Sequence, residues 1–147
     1  MSPLPQLPLP WRTRLSDHFT VDEFACKCGR WPKCTLRRPS PRLIRGLETA
    51  RARHYPDGLV ILSGVRCKTH NTAVGGAPQS QHVTGKAADL KTPRMKISEA
   101  IACGFTGIGV NRSPRGWVVS HVDVRAGSSP VVWEYPSRDV LPRSQWN

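Results

Sequence analysis

GIGVNRSPRGWVVSHVDVR, residues 107–125, sets two runs of strand-forming residues around a Ser-Pro-Arg-Gly turn. Branched and aromatic side chains suit the pleated backbone, and proline next to glycine marks a reversal, so the stretch predicts a β-hairpin. Side chains alternate between the two faces of a strand. His121, Asp123 and Arg125 therefore share one face, while Val122 and Val124 point to the core. A strand with valines on one side and that polar set on the other is half-buried and carries a functional face.

Working outward, GLVILSG (58–64) is a short apolar run between glycines and predicts a buried strand, and a second strand is expected at Ala87–Leu90. SPRLIRGLETARARHY (40–55) repeats Leu43, Ile44, Leu47 and Ala50 at helical spacing, with Pro41 where a first turn tolerates it. Thr20 and Glu23 have capping-box spacing for a short helix, and KISEAIACGF predicts another from Ile97, closed by Gly104. NTAVGGAPQSQHVTG reads as a long loop of small residues, and the tail after Pro130 as an edge strand that then frays. Residues 1–14 read as an extended proline-rich arm, leaving 15–147 as one domain. The expected fold class is α+β: a small, mostly antiparallel sheet with a packed helix and long loops.

The 147 residues suffice for one modest core. Twenty-two Lys and Arg against ten Asp and Glu give a net charge of +12, which favours polyanionic partners, either nucleic acid or a bacterial cell wall. Sixteen of the basic residues are Arg, scattered without a long run, so the positive surface is general rather than a tail. A charge that only aids solubility is the plainer alternative. No run approaches the roughly 18 apolar residues of a membrane span, so no membrane partner is expected. The start, MSPLPQLPLPWRTR, is a poor secretory signal, and the expectation is a protein made in the cytoplasm.

Three of the five cysteines fall in CKCGRWPKC, residues 26–34. The cluster is open to a metal, a disulfide or reduced thiols. Its Cys-x-Cys step is shorter than the usual zinc-knuckle spacing and no second cysteine pair follows, so a zinc ribbon is not expected. Cys67 either bridges to that cluster or stays a buried thiol.

SQHVTGKAADL, residues 80–90, holds His82 and Asp89 among glycine and small residues. Zinc accepts imidazole and carboxylate ligands and, in catalytic sites, keeps one position open. His82 and Asp89 offer two ligands across that turn, and His121 a third from the strand. Singly, each has a plain reading: a hydrogen-bonded core histidine, a turn-forming aspartate. Spacing alone leaves both readings standing.

Together, LSDHFTVDEFACKCG, ILSGVRCKTHNTAVGGAPQSQHVTGKAADL, GFTGIGV and HVDVR, in this order from Leu15 to Arg125, resemble the successive motifs of the M15 zinc peptidases. The similarity is strongest to the small branch of D-alanyl-D-alanine carboxypeptidases and phage endolysins. The resemblance implies the fold of the hedgehog and D-Ala-D-Ala peptidases, one zinc ion, and His82, Asp89 and His121 as its ligands. It makes Arg66, in SGVR, the arginine facing the substrate carbonyl or carboxylate, where a fixed positive charge stabilises an oxyanion. Ser80 falls beside the zinc site, orienting a ligand or substrate. Several branches carry an acid three residues before the last histidine; here that position is Val118. Asp123 is then either the general base or a carboxylate that hydrogen-bonds a ligand histidine or pairs with Arg125. His70 is expected to stabilise its loop, and Trp117, Trp133 and Tyr135 to line a groove or pack at the sheet edge.

The function implied is a zinc-dependent peptidase, carboxypeptidase or endopeptidase, cutting the peptide of bacterial peptidoglycan as a monomer. Without a signal it would reach the wall by another route, as a viral lysis enzyme does. The alternatives are a zinc-holding module that binds wall peptides or a protein without turnover, and nucleic-acid binding, which charge alone supports.

Overall fold

The computed structural model describes residues 13–30, 34 and 38–147, so most of the expected arm lies outside the described residues. The helices are α1 (Val21–Phe24), α2 (Pro41–His54), α3 (Lys68–Ala73) and α4 (Ile97–Ala102). The strands are β1 (Ile61–Ser63), β2 (Ala87–Leu90), β3 (Gly107–Ser113), β4 (Gly116–Asp123) and β5 (Val131–Glu134). They form one sheet in the order β1-β2-β4-β3-β5, antiparallel except for the β3–β5 pair. This is the expected α+β architecture.

Local chemistry accounts for the elements. The backbone N–H of Thr20 donates to the Glu23 carboxylate at 2.7 Å, which closes the capping box on α1. Pro41 opens α2, whose Leu43, Ile44, Leu47 and Ala50 are buried, and together with Phe19, Phe24, Ile108, Val119 and Val122 they form the core over one face of the sheet. Gly104, at φ +96°, ends the turn after α4. No helix among the described residues is long and apolar enough to cross a membrane.

Three sequence expectations change. The strand expected over 58–64 contracts to β1, and beyond its far end Val65 N–H donates to Phe24 O at 2.8 Å. The long loop is interrupted twice, by α3 and by a 3-10 turn at Gln81–Thr84 that Ser80 caps through its hydroxyl. The tail does not fray: Leu141 is buried, Ile97 N–H donates to Asn147 Oδ1 at 2.9 Å, and Asn147 Nδ2 donates to Trp117 O at 2.7 Å.

The ladder register matters most for the site. Gly109 pairs with His121 and Val110 with Val119, so Ser120 is an extra residue in β4, a β-bulge. Trp117 and Val119 before it, and Val122 and Val124 after it, all join the core, because the bulge resets the alternation. His121, Asp123 and Arg125 then occupy the opposite side. Across the sheet, Ser63, Asp89, His121, Gly109 and Trp133 stand side by side on the five strands, a single row.

Candidate active site

That row and the 3-10 turn before β2 build the site. His82, 2% exposed, comes from the turn, and its Nδ1 donates to Gly64 O at 2.7 Å. A carbonyl only accepts, so Nδ1 carries the proton and Nε2 is the nitrogen left to face Asp89. Ser80 Oγ accepts from the His82 backbone N–H at 3.3 Å and fixes the turn that aims the ring.

His121, 5% exposed, is held from behind. Its Nε2 meets Asp123 Oδ2 at 2.9 Å, which leaves Nδ1 facing Asp89 Oδ1 at 2.9 Å. Asp89 Oδ1 also lies 3.2 Å from His82 Nε2. The other oxygen of Asp89 accepts from Arg66 Nη2 at 2.8 Å. One atom from each of His82, Asp89 and His121 thus falls within 4.8 Å of the other two. Neighbouring ligands of a tetrahedral zinc with bonds near 2.1 Å sit about 3.4 Å apart, so this donor set fits the ion with small adjustment.

Charges around the three residues are tightly coupled. Burial works to raise the Asp89 carboxyl, but its interactions with the imidazoles of His121 and His82 outweigh it and hold the group well below the usual carboxylate range. Burial likewise works against the Asp123 carboxylate, and Arg125 and His121 overcome it. Burial alone would lower His121, yet its bonds to Asp123 and Asp89 raise it above its ordinary value.

Asp123 is fully buried. Arg125 donates to both of its oxygens, from Nε at 2.9 Å and from Nη2 at 2.7 Å. Gly107 makes room for it: a Cβ there would come within 2.0 Å of Asp123 Oδ1. Arg66 has three of its N–H groups committed, Nε to Ser63 Oγ at 3.0 Å, Nη1 to Asn71 Oδ1 at 3.3 Å, and Nη2 to Asp89. A guanidinium carries five donors, so two remain for a ligand.

These residues stand at a cavity of about 400 Å³ whose wall includes Arg66, Ser80, Ser120, Trp133, Tyr135 and Arg138. Trp133 packs at a tilt beside His121 with ring centroids 5.1 Å apart, across the position where Gly109 has no side chain. A Cβ on Gly109 would meet the Tyr135 ring at 2.5 Å. Burial pushes the Tyr135 phenol upward, so it stays protonated at neutral pH.

Of the residues singled out in the sequence, His82, Asp89, His121, Arg66 and Ser80 meet at this cavity, and Asp123 lies behind it against His121. Trp133 and Tyr135 line it; Trp117 does not, being buried under Arg112 on another face. Val118 borders a separate hollow with Thr92, Lys96 and Glu99. His70 lies outside the wall and its backbone N–H donates to Cys67 Sγ at 3.3 Å. Sequence reading missed Asn71, buried and bridging Arg66 to Ala77 O, and Ser120, whose place depends on the bulge. Neither residue type carries a signal of its own.

An acid and two histidines converging on an open cavity, with a tethered arginine in its wall, define a site of the metallopeptidase type. The model of the family described as Peptidase M15 matches residues 17–123, and the chain belongs to that family. Membership implies peptidase activity, and the family depends on zinc. No curated protein sequence matches the chain.

Proposed function

We propose that this chain is a zinc-dependent peptidase that hydrolyses peptide bonds in bacterial peptidoglycan, as a carboxypeptidase or an endopeptidase. The observation carrying the proposal is the convergence of His82 Nε2, Asp89 Oδ1 and His121 Nδ1 at the cavity beside Arg66. Those three atoms would hold the ion. Zinc, when bound, supplies a Lewis acid that polarises a carbonyl and makes water acidic.

The chain's own residues do the rest. Arg66, tied to Ser63 and Asn71, presents its two uncommitted N–H groups to negative charge, either a carboxylate on the substrate or the oxyanion of the attacked carbonyl. Trp133 and Tyr135 give the peptide an apolar wall with a phenol donor at its edge. Asp123 acts through His121: with both oxygens engaged and no exposure, it fixes the tautomer and direction of the ring rather than taking a proton from the cavity. The net charge of +12 suits an anionic wall polymer.

A second reading has one observation in its favour. Among the described residues lining the cavity, Asp89 is the only carboxylate, which suits a module that binds wall peptides without turnover. Isolated peptidoglycan incubated with the zinc-loaded protein, with His82→Ala, and with the chelated protein separates the two. New amine ends that need both zinc and His82, read by mass spectrometry, establish the peptidase and name the bond. Tight zinc binding without released fragments on several wall types leaves the binding module.

A further inference from the structure

We propose that Cys26, Cys28, Cys34 and Cys67 form a second metal site, a structural zinc centre with four thiolate ligands, separate from the candidate active site. The four Sγ atoms come from three parts of the chain and all lie within 4.8 Å of one another. Ligand sulfurs around a tetrahedral zinc with bonds near 2.3 Å sit about 3.8 Å apart, so the cluster has the size of such a site. No disulfide is formed among the five cysteines. The fifth, Cys103, is buried in the core instead.

Two further observations point the same way. The sulfurs accept backbone hydrogen bonds: Cys67 N–H donates to Cys26 Sγ at 3.2 Å and His70 N–H to Cys67 Sγ at 3.3 Å. Such bonds orient and stabilise metal-bound thiolates. Gly29 follows Cys28 with φ +69°, the left-handed turn that brings a chain back over a site between ligands. Four soft sulfur donors gathered at one point select zinc over hard cations. On loading, each thiol releases its proton to solvent as its sulfur takes the metal, so binding is proton-coupled.

The short Cys-x-Cys step that counts against a zinc ribbon in sequence is completed by a cysteine thirty-three residues beyond Cys34. The consequence is mechanical. Cys67 is next to Arg66, and Gly64, whose carbonyl holds His82, is three residues before it. The centre would clamp the 26–34 segment onto the loop from which Arg66 reaches Asp89.

Elemental analysis of the purified, reduced protein tests this. The expected result is two zinc ions per chain, one in Cys28→Ser and in Cys67→Ser, and one in His82→Ala. Cobalt(II) substitution should give the intense sulfur-to-metal charge-transfer band of a tetrathiolate site in the wild type and in His82→Ala, and lose it in Cys28→Ser. Cys28→His, which keeps a ligand, should retain the second ion. Two readouts need no substitution: the cobalt band itself, and protection of four thiols from alkylation by zinc. A single zinc in the wild type that His82→Ala removes, with no thiolate band and the four cluster thiols open to alkylation at full zinc, overturns the proposal. So do disulfides within the cluster in protein that is fully active.

Discussion

His121 has a partner on each ring nitrogen, Asp123 on Nε2 and Asp89 on Nδ1, and this double engagement sets two testable behaviours. If Asp123 orients the ring, Asp123→Asn keeps the shape but loses the charge. Zinc affinity should then fall by about 10–100-fold, the usual effect of removing a carboxylate behind a ligand histidine. Peptidase activity should recover when zinc is raised. A general base would behave otherwise, with affinity intact and turnover lost at any zinc level. The second behaviour is a pH dependence. His121 must be neutral to ligate, and its proton is held more tightly than at the ordinary 6.5. Zinc binding is therefore unaffected well above the raised value and weakens as pH falls through it. Competition with a chromophoric chelator between about pH 8 and 5 should show the loss beginning above the ordinary imidazole range. A loss beginning only below that range contradicts the coupling.

At the scale of elements, β3 supplies two glycines that divide the labour of the site. Gly107 faces Asp123, and a Cβ there would lie 2.0 Å from a carboxylate that is 0% exposed and has nowhere to go. Gly109 faces Tyr135 and His121 instead, at 2.5 and 3.0 Å. Gly107→Ala should lower both zinc affinity and the unfolding midpoint, since overpacking a filled interior costs about 1–3 kcal/mol. Gly109→Ala should move the Tyr135 ring and raise KM several-fold, with a smaller loss of zinc than Gly107→Ala. Equal zinc loss in the two variants would refute this division. The bulge at Ser120 is the feature that makes it possible, because it lets Val119 stay in the core while His121 turns to the cavity.

For the molecule as a whole, Asn147 is part of the packing. Asn147 accepts from Ile97 N–H and donates to Trp117 O, linking the start of α4 to the start of β4. Asn147→Ala leaves a donor and an acceptor without partners and should cost about 1–3 kcal/mol in denaturant unfolding, with peptidase activity and zinc content preserved in the folded protein. No change in the midpoint would mean that solvent already satisfies those groups.

The sequence by itself determined the α+β class, the β3–β4 hairpin, the α2 helix and the strand at Ala87–Leu90, because each rests on local periodicity, branched side chains and turn residues. The residues of the M15 motifs, His82, Asp89 and His121 among them, were legible as a group for a similar reason: their types and order carry the resemblance. What only the tertiary structure decided is how residues far apart in the chain face one another. The register that sets Asp89 beside His121, the bulge at Ser120, the burial of Asp123 against Arg125, and the meeting of Cys67 with the 26–34 cluster all arise from long-range pairing. A one-residue slip in such pairing leaves every local propensity unchanged while it moves each side chain to the opposite face.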